Sequence, residues 1–512
     1  MINTLFIGSS SACFELGGDA PYYAEKEYDV YLDGKKIYTE KRNVFSLFGL
    51  LPDTEYTAAA NGEKIKFRTK AETCALCVRD FGAAGDGVTD DTSRIEAAIA
   101  RLPEGGRLIF PTGTYLTRPI TLKSRMTLEL EENAVLLGVT DSSLYPVIPA
   151  EAVDPKTKKT MITGTWEGNA HPMYQSLLFA ENARDINIVG RGTVDGNAQN
   201  GTWWQNVSEY SVGRPRLIFF GMCEGVNIHG ITAQNSASWQ IHPYRSEDVG
   251  IYDVSVFAPK DSPNTDALDP ESCRDVNIVG CKFSVGDDCI AVKSGKINIA
   301  KKYKMPAENH NIRNCLMQFG HGAVTLGSET ACGIYDLKVS RCIFEHTDRG
   351  LRIKTRRGRG EDSVIDGITF ENIKMNGVLT PIVMNMWYNC CDPDRNSEYV
   401  WSRKALPVDE RTPRLKRFTF RNITCENCHV AACYCDGLPE SPIDEITLEN
   451  ITFSYAEDAA AGRPAMQSFM KPMCRTGMYF DNVKSLAIKN VSVVGASGDD
   501  LKTLAVEKIT ME

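Results

Sequence analysis

The chain has 512 residues, 42% of them hydrophobic and 24% charged, with a formal net charge of -9 at neutral pH. That length supports a large core with room for a smaller second domain, and the acidic balance excludes a general nucleic-acid or membrane-surface binder, which needs a basic footprint to meet phosphate. No stretch is apolar for long enough to span a bilayer.

The first 18 residues lack a basic leader region, and Gly8-Ser9-Ser10-Ser11 breaks their apolar run. With seventeen cysteines, an odd number, this points to reduced thiols and a cytoplasmic location rather than a disulfide framework. A secreted chain whose leader had been removed would read the same way.

Residues 1–72 are expected to form a small β-sandwich. Tyr28, Val30 and Leu32 alternate onto one face, Asp33-Gly34 offers a hairpin turn and Ile37 resumes a strand. Leu50-Leu51-Pro52-Asp53-Thr54-Glu55-Tyr56 resembles the tyrosine corner of fibronectin type III modules. The resemblance implies a spacer or a cap over the first coil of the next domain, or else a carbohydrate contact.

After a short linker, residues 76–512 are expected to form one catalytic domain. Val78 to Gly87 leads through Asp90-Asp91-Thr92 into an apolar helix from Ile95 to Leu102, with Asp91 or Thr92 as N-cap. This opening resembles the entry to right-handed parallel β-helices of pectin-degrading and phage tailspike proteins, in which the helix caps the open end of the coil.

From Ile186 a strand unit recurs, as in Ile228-His229-Gly230-Ile231, Ile278-Val279-Gly280-Cys281, Ile312-Arg313-Asn314-Cys315, Phe420-Arg421-Asn422-Ile423 and Leu448-Glu449-Asn450-Ile451. Such repetition predicts a solenoid with insertions on one side. The Gly/Asn position predicts a left-handed corner, which those two residues adopt most cheaply. Stacked coils would turn the asparagines into a side-chain ladder, which accounts for the Asn-x-Ser/Thr pattern at Asn422, Asn450 and Asn490 without glycosylation.

Four motifs on this repeat carry chemistry: Asn264-Thr265-Asp266, Gly286-Asp287-Asp288, Gly320-His321-Gly322 and Arg352-Ile353-Lys354. Carboxylates one coil apart can flank a sugar bond, because strands stack about 4.8 Å apart. Clustered carboxylates also raise at least one pKa, which keeps an acid protonated near neutrality. Both members of Asp287-Asp288 reach one cleft only where the backbone leaves regular strand geometry, and Gly286 is expected to ease that departure. Arg352 and Lys354, two apart, share a strand face and suit one carboxylate.

In this order and spacing the motifs resemble the polygalacturonase family of glycoside hydrolases, over residues 78–488. The resemblance implies inverting hydrolysis of α-1,4 bonds between galacturonic acid residues, without cofactor or metal. It makes Asp287 the general acid, Asp266 and Asp288 the holders of the attacking water, and His321 an orienting or proton-relaying partner. Arg352 and Lys354 become uronate ligands. Asn235-Ser236-Ala237-Ser238-Trp239-Gln240-Ile241-His242-Pro243 resembles the family's stretch before the first motif and makes Gln240 and His242 subsite contacts. Ala237 replaces the usual proline, and Ala267 the usual glycine. Asp195-Gly196-Asn197 and the Trp203-Trp204 pair also fit the family, the tryptophans stacking on sugar or packing.

Exo action from the non-reducing end is expected because segments 149–214 and 390–414 are long enough to wall the cleft, and because Asp348 to Arg356 resembles bacterial exo-acting members. Endo action, hydrolysis of rhamnogalacturonan or xylogalacturonan, a calcium-dependent lyase and a non-catalytic sugar-binding solenoid are the alternatives. Arg356, Arg357 and Arg359 are expected on a solvated face. Cys425, Cys428, His429, Cys433 and Cys435 have zinc-ligand types but are expected, like Cys74 and Cys77, as interior packing. Oligomeric state stays open.

Overall fold

The computed structural model describes residues 1–153, 158–205, 207, 210–389 and 392–512. Residues 154–157, 206, 208–209 and 390–391, parts of the two segments expected to wall the cleft, lie outside the described residues.

The N-terminal part is a two-sheet antiparallel sandwich. Ile2–Ile7, Ser11–Leu16 and Val44–Phe48 make one sheet, and Tyr23–Leu32, Lys35–Arg42, Glu55–Ala60 and Glu63–Arg68 the other. Phe14, Val30, Phe45 and Leu47 fill the space between them. Asp33 and Gly34 both have positive φ, 48° and 81°, as a two-residue hairpin turn requires. The Tyr56 hydroxyl accepts the Leu51 amide at 2.9 Å, the backward tie of a tyrosine corner.

From Ala75 onward the chain is a parallel β-helix. Each coil gives two strands to a 24-stranded parallel sheet that bends at a corner, as Arg274–Val279 and Lys282–Ser284 do, and a third strand to a second face. Register puts like side chains in columns: Ile228, Ile251, Ile278, Ile312, Val339, Phe370 and Phe420 follow one another coil by coil, all buried. The expected left-handed corners are present, with φ of 81° at Gly230, 74° at Gly280 and 54° at Asn422 and Asn450. Asn422 donates to Asn372 at 3.0 Å, Asn450 to Asn422 at 3.1 Å and Asn490 to Asn450 at 2.9 Å.

The helix spans Thr92–Arg101, starting before the apolar run read from Ile95. Asp91 stands at its N-cap but spends its carboxylate on the Ala84 and Gly85 amides of the preceding loop, at 2.7 and 2.9 Å. Ile95, Ala98 and Ile99 close the first coils' core. Cys425, Cys428, Cys433 and Cys435 are buried in that same core, as packing requires.

The second face comes in two runs. Ile120–Thr121, Leu178–Glu181, Ile218–Gly221 and Ile241–Tyr244 make four strands, and seven more run from Ile290–Val292 to Leu501–Thr503. Between the runs, the coil carrying Asp266 and Asp269 is joined by bridges at Leu268 and Glu271 and by backbone hydrogen bonds such as those from Asp269 to Ile241 and from Ala267 to Asp288. Its backbone is too irregular for a strand, and Pro270 lacks a donor.

The sandwich does not cap the first coil. It lies along the corner opposite the second face, across several coils. His229, fully buried, bonds Ser11 at 3.1 Å and Ser46 at 3.0 Å, with Phe48 stacked on its ring at 4.9 Å. Glu15 takes Arg313 at 3.0 Å, Asn314 at 2.6 Å and Arg341 at 2.5 Å. A Cβ at Gly230 would come within 2.4 Å of Phe48, so glycine there serves both the corner and the docking.

Glu15 links two coils to the sandwich, so Glu15→Ala leaves two arginines without their acid. Because both guanidiniums keep some solvent, the loss should be about 2–3 kcal/mol, below that of a fully buried pair. Urea unfolding should remain one transition; a separate early transition for the sandwich would contradict the docking.

Candidate active site

The irregular coil is built around hydrogen bonds that fix Asp266. Asn264 sits at φ 57°, and its side-chain oxygen accepts from Arg214 at 2.5 Å. The Thr265 hydroxyl bonds Ser262 at 2.6 Å and accepts the Gly286 amide at 3.2 Å, joining this coil to the next. Gly286 is required for a different reason than a special φ: a Cβ there would lie 2.4 Å from the Ser262 carbonyl. The stretch from Gly286 to Cys289 is bent rather than extended, so the two adjacent aspartates escape strand alternation and face the same cleft.

Single oxygens of Asp266, Asp287 and Asp288 lie within 4.8 Å of one another. A cation could bridge such a set, but both Asp288 oxygens are already taken. Arg352 donates to one at 2.8 Å and Lys354 to the other at 2.9 Å. The two cations predicted for a substrate carboxylate therefore serve first as the counter-charge of a catalytic-face aspartate. The oxygens also approach more closely than the roughly 6.5–9.5 Å that separates acid and base in inverting enzymes.

His321 sits one coil on, and its Nδ1 is 3.3 Å from Asp287. The flanking glycines leave room for the charged pairs: a Cβ at Gly320 would meet the Asp287 carbonyl at 2.7 Å, and one at Gly322 would meet Asp288 Oδ1 at 2.9 Å. The imidazole is about half exposed and Asp287 is the more accessible of the paired acids, while Asp266 and Asp288 are buried.

These environments push the three acids apart. Burial raises Asp266 well above the usual carboxylate range, and repulsion from Asp269 and Asp287 adds to it against the pull of Lys293. For Asp287 burial is the largest influence and works upward, but the His321 hydrogen bond together with the charges of His321 and Lys354 makes the net direction down. Asp288 is driven far down despite burial, because Lys354 and Arg352 hold its anion. These directions favour the proton on Asp266, not on the Asp287 that the motif reading makes the acid.

Several groups escaped the sequence reading. Lys293 pairs with Asp269, reaches Asp266 at 3.5 Å and lies 4.3 Å from the centre of the Trp239 ring. Burial alone would lower its pKa, yet Asp269 and Asp266 keep it charged. Asp269 and Glu271, alternating after Asp266, were the available signal.

Gln240 and His242 are not on the cleft surface. Both are fully buried: Gln240 accepts the Ser236 amide and donates to the Phe257 carbonyl, and His242 bonds Glu271 at 3.2 Å. His242 alternates with the core residue Ile241 and so shares the outward face of Asp269 and Arg352, but Phe219 and Trp239 cover its ring. Trp203 is buried too, against Tyr145 and Tyr174. The arginines after Lys354 are likewise no solvated face. Arg356, Arg357 and Arg359 are all buried; Arg359 and Arg356 reach Asp392 at 2.8 and 3.3 Å, and Arg357 holds Glu440 at 2.5 Å. Their role is to pin the insertion at 392–414.

Two insertions bridge the face on either side of the acids. From one end, hairpins at Thr165–Trp166 and Asn169–Ala170 cross it, Trp166 lying parallel to Trp239 with Arg216 close over both rings. The Gly168 carbonyl accepts the Lys296 amide at 2.9 Å. From the other end, Tyr388 pairs with Gln467, Met466 packs on Arg352 and Asn385, and Trp401 meets Phe469 edge-on at 5.6 Å. The Lys296 ammonium bonds Asp392 at 2.9 Å, so both bridges meet at one residue.

Residues 151–474 match the family model "Glycosyl hydrolases family 28". The chain is 33% identical over 393 residues to a probable polygalacturonase of Vitis vinifera, covering 74% of each chain. Its fold is shared with a family 28 exopolygalacturonase of Yersinia enterocolitica, at TM-score 0.75 and 21% identity over 100% of this chain and 98% of the other. It is shared also with an exopolygalacturonase of Thermotoga maritima, at TM-score 0.66 and 24% identity over 82% and 92%.

The hydrogen bond to Asp287 raises His321 above its ordinary value of 6.5, while Asp287 is lowered below 3.8. The pair's contribution to stability is therefore full between those values; it is lost as pH rises through the raised histidine value and as pH falls through the lowered aspartate value. The stability gap between wild type and His321→Asn, measured by urea unfolding, should be wider at about pH 5.5 than at about pH 9. A gap that does not change with pH would show that the pair carries no charge.

Proposed function

The chain belongs to family 28 of the glycosyl hydrolases, and on that premise we propose that it hydrolyses α-1,4 galacturonosyl bonds of pectic oligosaccharides as an inverting exo-polygalacturonase. The observation that carries this reading is the cluster of Asp266, Asp287 and Asp288 on a face that insertions cross from both ends. A long polymer would need an open groove, whereas a face obstructed at its ends suits a chain end.

Asp266 and Asp287 repel each other and titrate as a pair sharing one proton. A galacturonate entering the site brings another negative charge beside the half-exposed His321–Asp287 pair and raises the aspartate's proton affinity. The shared proton then moves to Asp287, and Asp266 is left ionised. Water held between Asp266 and Asp288 attacks the anomeric carbon, giving its proton to Asp266. The glycosidic bond breaks, and its oxygen takes the proton of Asp287. Asp288, neutralised by Arg352 and Lys354, orients the water without competing for the proton. Those cations and Lys293 also hold the site's charge balance when an anionic sugar enters. Inversion follows from family membership rather than from the acids' spacing.

The N-terminal sandwich reads as a fibronectin type III-like splint on the back of the helix, away from the sugar. The fifteen described cysteines are unpaired, which supports a reducing compartment and imported oligogalacturonides as the substrate.

Incubation with tri- and tetragalacturonate should release galacturonate stepwise from the non-reducing end, with no ultraviolet-absorbing product and with the opposite anomer appearing first by NMR. Asp287→Asn should lower the rate by about 10³-fold, within the span of general acid catalysis. Early internal fragments would replace exo with endo action, and an absorbing product would indicate elimination.

A further inference from the structure

Between the two insertions the turns leading onto the second face are short, at 285–289, 319–323, 346–348 and 377–379. Strand register aligns the residues that end these turns' preceding strands: Gln234, Phe257, Ser284, Gln318, Glu345, Asn376 and Glu426 occupy one position in successive coils. The residue after each is therefore also equivalent. At five of these corners the backbone is left-handed, with φ of 53° at Asn235, 63° at Phe319, 55° at His346, 65° at Gly377 and 54° at Asn427.

Asparagine and glycine are what such a corner selects. A phenylalanine there is an outlier, because a bulky side chain in that region is strained, and a local rule broken with little gain in packing marks a functional position. Phe319 gains little core packing: it is 46% exposed. Its ring lies parallel to the exposed His346 ring, 12° between planes and 5.9 Å between centres. The pair presents an aromatic face on the turn side of the acids. Two residues on, in the same turn, stands His321, bonded to Asp287.

We propose that Phe319, backed by His346, is a stacking platform for the galacturonate ring on the leaving-group side of the scissile bond. The C–H face of a pyranose is apolar and matches an aromatic plate, and the short turns between the insertions leave room beside the acids for the sugar beyond the bond. This rests on the reading of the protein as a galacturonan hydrolase and adds to it a residue that sets affinity for longer substrates.

The test compares wild type, Phe319→Asn and Phe319→Tyr on defined di-, tri- and tetragalacturonate. Phe319→Asn should raise KM for tetragalacturonate by about fivefold, the size expected for one aromatic stacking contact, with a smaller effect on kcat and on the dimer. Asparagine relieves the corner, so the same variant should melt at a higher temperature than wild type while binding worse. Phe319→Tyr, which keeps the plate, should restore KM. A Phe319→Asn enzyme with wild-type KM at every length would overturn the platform alone. Absence of turnover by the wild-type chain would overturn the reading it rests on as well.

Discussion

Everything in this molecule depends on the hydrogen-bonded register between successive coils. A solenoid has no globular core to choose its contacts; each coil is placed only by the one before and the one after. Once the Ile228-to-Phe420 column is in step, positions far apart in sequence become neighbours along straight lines. The candidate active site is such a line. Asp266, Asp288 and Arg352 come from different coils of the same face, and a slip of one residue in any of them would turn its side chain to the opposite side.

That placement creates an electrostatic problem, since it brings three carboxylates within 4.8 Å. Isolated in a buried setting, they could not all ionise. The neighbouring coils answer with cations of different reach: Arg352 and Lys354 fix one acid as an anion, Lys293 ties Asp266 to Asp269, and His321 offers a charge that can be withdrawn. The acids thereby acquire distinct proton affinities although their covalent chemistry is identical, the separation by environment that acid–base catalysis uses. The cleft is thus a balanced charge array, and a further anion entering it redistributes protons instead of meeting bare repulsion.

Much of this was legible in the chain, for physical reasons that differ by element. The Asn ladder was readable because one backbone conformation admits few residues and the coil repeats it. The motif acids were readable because short spacing and flanking glycines restrict what the turn can do. The burial of Gln240 and His242 was not readable, because the side chains that cover His242, Phe219 and Trp239, reach it only through the fold. Arg356, Arg357 and Arg359 were read as solvated because their partners, Asp392 and Glu440, lie in other turns. For the same reason the sandwich's position was hidden: Glu15 and Arg313 are a contact of tertiary origin, with no local signature. The reason assigned to Gly286 was wrong in kind, since close approach of the Ser262 carbonyl, and not a positive φ, excludes a side chain there.

The sandwich on the back of the helix has a mechanical consequence. A free solenoid behaves as a soft spring, able to stretch or twist by small changes shared over many coils. Here Glu15 grips Arg313 and Arg341 on consecutive coils while Ser11, Ser46 and Phe48 hold His229 further along, so that stretch of spring is clamped at several points. The clamped coils are those whose opposite edge carries the acids. Elastic deformation is thus pushed out toward the unclamped C-terminal coils, and the acids keep their relative heights when the rest of the helix flexes.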